Sequence, residues 1–437
     1  MSFSTPDQLR QQRSWYFYDW GNSAFTTTVV TLFLGPYLTS IAKAAAGDDG
    51  RIHPFGLSID PRSLWSYLVS LSVLTQVICL PLVGAIADFG KKKREFLGIL
   101  ALLGVSATLG MFFIEGTRYL LGAVLFLIAN LAFGASIVIY NSFLPEIAPP
   151  EERDAVSSKG WGLGYLGGGL LLCLNLYMYS NAKGLGLTDS MAVRISLLSA
   201  GLWWGLFTVP TYMGLRNNTA SHALPPGENY LSVGIRQLLK LFRDIRLYPQ
   251  ALLFLIAFLL YNDGIQTVIS LSSQFGSDSL HMSMASLTQA ILMVQFVAFF
   301  GAVGFNFIAK YIGAKKSVIL SLLIWTGALV YIWLAVSTER EFFIMAFVVA
   351  IVLGGSQALS RSLFSQLIPK GREAEFFSIY EISDKGTSWI SPLLFGLVMD
   401  LTNDYHLAIF SLVVFFIAGL LVLLPVNVAK GMQDAVK

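Results

Sequence analysis

The chain has 437 residues, of which 55% are hydrophobic and 13% charged, and a formal net charge of +3. Soluble domains carry about 25% charged residues, so this composition excludes a water-soluble protein and points to an integral membrane one. Strand-type alternation is absent and the apolar runs are about 20 residues long, which excludes a barrel and predicts spanning helices.

Twelve spans are predicted, at 14–41, 63–87, 96–114, 118–147, 152–179, 191–214, 250–274, 283–309, 315–336, 341–368, 373–399 and 406–425. Arg10 and Arg13 precede the first run, as in a signal peptide. That run is too long for a signal h-region and holds Asp19, Asn22 and Pro36, so it is expected to stay as a membrane helix. It carries a polar stripe, Asp19, Asn22, Ser23 and Thr26, at i, i+3, i+4, i+7. The spacing returns 244 residues later as Asp263, Gln266, Thr267 and Ser270. An ionised Asp inside a bilayer costs roughly 2.5–3.5 kcal/mol on insertion scales, so both stripes are expected to face protein or water. The sequence reading makes them opposing walls of one polar cavity.

The longest polar connection, 215–249, divides the chain into six-helix halves at 1–214 and 250–437. With the N-terminus in the cytoplasm, that side receives 22 of the 29 Lys and Arg residues, which places both termini there. This topology accounts for the basic loops without nucleic acid. The halves repeat: Gly134, Ser136, Ser142 and Pro149 match Gly354, Ser356, Ser362 and Pro369 at an offset of 220, and Tyr18 and Gly21 match Tyr261 and Gly264 at 243. Corresponding helices run the same way, which is a parallel repeat. The Asp stripes align at 244 and not 243, so the carboxylates are expected to share a role without strict positional equivalence.

Polarity also varies every third helix. Spans three, six, nine and twelve have no charged residue in their interiors and are expected to face lipid. Spans one, four, seven and ten carry Asp19, Asn130 with Asn141, Asp263, and Gln357 with Arg361, and should line a central path. This arrangement resembles that of the major facilitator superfamily.

Span eleven holds Glu381, Asp384 and Lys385; Glu381 and Lys385 are i, i+4 and able to pair. Two readings stay open, an ion-pair network holding the bundle together, or a site for a substrate's charged ends or a proton relay. Gly84 through Lys93 (GAIADFGKKK) resembles the major facilitator gate signature, with Gly84, Asp88 and Lys92 as candidate gating residues. Lys91 replaces a usual second Gly there. Gly162 to Gly167 spells GxGxxG but follows no strand, so close helix packing and not dinucleotide binding is expected. Cys79 and Cys173 give no disulfide framework, and the four histidines are expected in loops without metal-ligand spacing. No cofactor, metal or enzymatic nucleophile–base pair is expected.

Five segments, Trp15–Ala24 (WYFYDWGNSA), Tyr140–Arg153 (YNSFLPEIAPPEER), Val156–Gly169 (VSSKGWGLGYLGGG), Tyr261–Val268 (YNDGIQTV) and Gly354–Glu375 (GGSQALSRSLFSQLIPKGREAE), resemble one branch of that superfamily. This is the bacterial "unknown major facilitator" family, related to fungal vacuolar amino-acid effluxers of the autophagy-related type. The resemblance implies a twelve-helix secondary transporter of small polar solutes such as amino acids in a bacterial-type inner membrane. Monomeric alternating access around a midplane site, with proton coupling at Asp263 or Glu381, is the expected mechanism. Carboxylates would take a substrate's ammonium end, and Arg361 or Lys385 its carboxylate. An exporter of lipid or amphiphile on the same fold and a non-transporting membrane sensor remain as alternatives.

Overall fold

A computed structural model describes residues 4–89, 92–148, 153–217, 236, 243, 245–367, 380 and 389–435. These residues are almost wholly helical. The helices of seven residues or more are α1 (Pro6–Ala24), α2 (Leu34–Ala44), α3 (Leu64–Phe89), α4 (Lys93–Gly110), α5 (Tyr119–Ser142), α6 (Arg153–Ser180) and α7 (Asp189–Gly214). They continue as α8 (Pro249–Asp278), α9 (Met284–Ile312), α10 (Ala314–Ala335), α11 (Glu339–Leu367), α12 (Ile390–Thr402), α13 (Tyr405–Ser411), α14 (Val413–Leu423) and α15 (Val428–Asp434). Among the described residues, eight helical segments are long and apolar enough to cross a bilayer. The spans expected at 63–87, 283–309 and 341–368 are helical as α3, α9 and α11 but are not among those eight. The span expected at 373–399 lies mostly outside the described residues.

Two compact units form, one of Met1–Gly56 with Thr75–Gln237 and one of Leu57–Leu74 with Leu238–Lys437. In the first, α1 lies along α6 and α7, and α4 packs against α5 and α7. In the second, α11 packs on α9 and α10, and α8 on α14. Helix ends follow ordinary chemistry. Thr5 closes a capping box at the start of α1, Thr188 and Ser283 cap α7 and α9, and Gly313 takes φ +86° between α9 and α10.

The packing repeats between the units. Gly21 abuts the Phe207 side chain of α7, and Gly264, 243 residues later, abuts the Phe416 ring of α14. Outward faces are apolar: Ile99, Leu102 and Leu103 on α4, Leu202, Leu206 and Met213 on α7, Leu323 and Leu334 on α10, and Val414, Ile417 and Leu421 on α14 are exposed. The helices α5, α6, α9 and α11 likewise expose Val124, Leu166, Phe300 and Ile344, and hydrocarbon is the solvent such faces fit.

Two expectations need correction. The first span is not one uniform α-helix. It turns to π geometry over Phe25–Phe33, so Thr26 lies beyond the point where α spacing holds. The Thr26 and Thr27 hydroxyls both donate to the Ser23 carbonyl at 2.9 Å, which gives that carbonyl polar partners where the winding changes. His406 is not in a loop but in the first turn of α13, where its Nδ1 lies 3.0 Å from the Ile332 carbonyl.

Candidate functional site

In the first unit, α1 and α5 are clamped by aromatic and polar contacts. The Tyr18 hydroxyl, fully buried, donates to Ser136 Oγ at 2.6 Å. Trp15 stacks on Tyr140 with centroids 4.3 Å apart and donates its indole N–H to the Tyr140 carbonyl at 3.0 Å. Next to this clamp, Asp19, Ser23 and Thr26 are half-buried and Asn22 is buried. Asn22 Nδ2 has no hydrogen-bond partner among the described residues.

The stripe packs against glycines of α6. A Cβ built on Gly160 would fall 2.7 Å from Asp19 Oδ2, one on Gly164 2.7 Å from Ser23 Oγ, and one on Gly167 2.3 Å from the Trp20 carbonyl oxygen. Gly162 faces open space. The GxGxxG segment is therefore half of a close-packing seam, and the seam sets the position of Asp19.

The second unit repeats the clamp. The Tyr261 and Ser360 hydroxyls lie 2.6 Å apart and Ser360 donates to the Ser356 carbonyl at 2.5 Å, so the serine used is one turn beyond the one the repeat aligns. Because Tyr18 and Tyr261 correspond at 243, Asp263 corresponds to Trp20 and not to Asp19. One residue is about 100° of rotation on a 3.6-residue helix, and Asp263 accordingly has its own surroundings. It is 2% exposed, and its Oδ2 accepts the Ser391 backbone N–H at 3.0 Å. The Ser391 and Thr267 hydroxyls each donate to the Asp263 carbonyl oxygen at 2.8 Å. Asp263 Oδ1 is buried and has no hydrogen-bond partner among the described residues.

The supporting element is α12. Trp389 is a turn residue, and α12 starts at Ile390, so a helix N-terminus lies beside Asp263. The Trp389 carbonyl accepts from the Ser70 hydroxyl at 2.8 Å. Residues 57–74 hold the same unit at a second place. Arg62 pairs with Asp60 at 2.7 Å and also reaches Asn403, while Asp60 N–H donates to Asp400 at 3.1 Å. The Asp60 carboxylate beside it holds the Arg62 guanidinium above its ordinary pKa.

Of the other candidates, Gln266 and Gln357 are half-buried and Asn141 is exposed. Arg361 lies on α11 and Gly84 and Asp88 on α3, where their side chains are outside the described residues, as are Glu381, Asp384 and Lys385 entirely. Lys92 is exposed. A largely buried ion pair is made by its neighbour: Lys93 Nζ meets Glu146 Oε1 at 2.7 Å, with the lysine side chain only 9% exposed. Sequence reasoning missed Lys93, Glu146, Ser391 and the Tyr–Ser clamps. Glu146 does stand in the segment Tyr140–Arg153, but nothing in the pattern paired it with Lys93.

Residues 7–436 match the family described as vacuole effluxer Atg22 like. The MFS-type transporter YxiO of Bacillus subtilis is 29% identical over 416 residues, covering 95% of this chain and 94% of its own. Autophagy-related protein 22 of Saccharomyces cerevisiae S288c is 27% identical over 97% of this chain and 92% of its own. A bacterial homolog of the human lysosomal transporter Spinster, inward-facing and unoccupied, shares the fold with a TM-score of 0.66 at 14% identity, covering 99% of each chain. A D-xylose–proton symporter does so at 0.65 and 14%, covering 97% of this chain and 98% of its own. These proteins are transporters and not enzymes, and a multi-pass membrane protein acting on a small molecule fits the apolar helices and the buried carboxylate described above. With nearly its whole length matched, the chain belongs to the Atg22-like vacuole effluxer family, on the major facilitator fold.

Proposed function

We propose that the protein is a proton-coupled secondary transporter of a small zwitterionic solute, of the amino-acid class, working by alternating access. It would act as a monomer with twelve spans, in halves 1–214 and 250–437 joined by 215–249, with both termini in the cytoplasm of a bacterial-type cell. The observation that carries this reading is Asp263: a carboxylate 2% exposed inside an apolar helix, with one oxygen unpartnered. So costly a group in a membrane span marks a transported or coupling ion. Asp19, with Asn22 beside it, is half-buried and would take the substrate's ammonium end, and Gln266 and Gln357, half-buried in the second unit, would contact solute. Arg361 or Lys385 would meet the carboxylate end, and Glu381 and Asp384 would carry charge along span eleven. Gly84, Asp88 and Lys92 would serve the gate.

The amino-acid class rests on the family resemblance. The test is uptake of labelled amino acids by the purified chain in proteoliposomes under an imposed proton gradient. Uptake that needs the gradient and is lost in Asp263→Asn supports the reading. Uptake unchanged in that variant would remove Asp263 from the mechanism, and stimulation only by lysolipids would favour an amphiphile exporter.

A further inference from the structure

The surroundings of Asp263 hold more oxygen than a proton site requires. The Asp263 carbonyl oxygen, Thr267 Oγ1 and Ser391 Oγ form a closed triangle with sides of 2.8, 2.8 and 2.5 Å. Only two hydroxyl hydrogens serve its three contacts, so one short oxygen–oxygen approach has no hydrogen to bridge it. The same residue carries Asp263 Oδ1, which is buried with no hydrogen-bond partner among the described residues. Its sister oxygen is fixed by the Ser391 N–H at 3.0 Å, so the carboxylate cannot turn freely to find another donor. Thr267 and Ser391 are themselves 1% and 0% exposed.

A carboxylate oxygen, a main-chain carbonyl and two hydroxyls are hard ligands, suited to a hard cation and poor for a transition metal. Their single formal charge matches a monovalent ion.

We propose that Asp263, Thr267 and Ser391 form a binding site for a dehydrated alkali cation, sodium, between α8 and the first turn of α12. This rests on the reading of Asp263 as the coupling carboxylate and extends the ion it accepts. Ser391 holds two roles, its amide orienting Oδ2 and its hydroxyl acting as a ligand. Thr267 is a ligand one helical turn beyond Asp263.

The test is sodium-22 binding to the purified full-length chain by scintillation proximity, with choline replacing sodium at constant ionic strength and potassium as competitor. The expected result is one saturable site per chain, lost in Asp263→Asn and at least tenfold weaker in Thr267→Val and in Ser391→Ala. All variants are compared at equal monodispersity, and if Asp263→Asn does not fold the two hydroxyl variants decide alone. Absence of saturable sodium binding, or binding untouched by the hydroxyl variants, would overturn the proposal. A proton-gradient uptake assay on the same preparations separates the two readings. Proton-driven uptake that needs Asp263, without sodium binding, would sink the sodium site and leave proton coupling standing. Loss of neither sodium binding nor proton-driven uptake in Asp263→Asn would sink both.

Discussion

Gly167→Ala probes the seam that positions Asp19. A Cβ at this position would lie 2.3 Å from the Trp20 carbonyl oxygen and 3.0 Å from its carbon, whereas ordinary contact begins at 3.4 Å. The obstacle is backbone, so no side chain can swing aside. Helices α1 and α6 must part locally by about 1 Å, the difference between 3.4 and 2.3 Å. Overpacking of this kind costs about 1–3 kcal/mol, and small residues at membrane helix interfaces are the means of such close approach. Gly162, five residues earlier, meets nothing within 4 Å. Gly162→Ala should therefore be neutral or stabilising by about 0.5–1 kcal/mol, through helix propensity alone. Thermal unfolding of both variants in one detergent checks the order. A Gly167→Ala protein as stable as wild type, or a Gly162→Ala protein that is the less stable of the two, would refute the packing seam.

Other outcomes follow from single contacts. Tyr18→Phe and Tyr261→Phe each remove one buried hydroxyl contact at 2.6 Å, and each should lower unfolding free energy by about 0.5–1.5 kcal/mol; additivity in the double variant would show that the two clamps act in separate units. Glu146→Gln leaves Lys93 without its buried partner and should cost up to about 3 kcal/mol, with part of the loss recovered in Lys93→Met/Glu146→Leu, measured by denaturant unfolding. The Asp49 carboxylate accepts the Arg51 N–H at 3.0 Å, which holds its pKa below the ordinary 3.8. A depressed carboxylate supports its loop above the ordinary pKa and loses that support as pH falls through the lowered value. Hydrogen-exchange protection at residues 47–53, taken relative to the intrinsic rate at each pH, should thus hold at pH 5 and fall only below pH 3.8, and an onset above that value would contradict the assignment.

Much of the architecture was legible because the bilayer imposes coarse rules. Apolar runs of spanning length became helices, and large apolar side chains are exposed on α4, α7, α10 and α14 as they are on α5, α6 and α9. The Tyr18/Tyr261 and Gly21/Gly264 correspondences appear as like contacts in the two units. What escaped the reading depends on angles that spacing does not encode. The one-residue slip between Asp19 and Asp263 looked minor in sequence, yet it places Asp263 on the N-terminal end of α12 and Asp19 against Gly160. The π turn at Phe25–Phe33 has no periodic signature, since Thr and Val at those positions suit an α-helix as well. Ser391 was invisible because its amide, not only its side chain, makes the contact. Lys93 was passed over because three consecutive lysines offer no spacing by which to choose one.

Counterflow by the purified chain tests the transporter account most directly. Proteoliposomes preloaded with unlabelled amino acid and diluted into trace label should accumulate that label transiently, faster than empty vesicles, without any imposed ion gradient. A chain that is thermally stabilised by the same amino acid yet gives no overshoot would be a sensor and not a carrier.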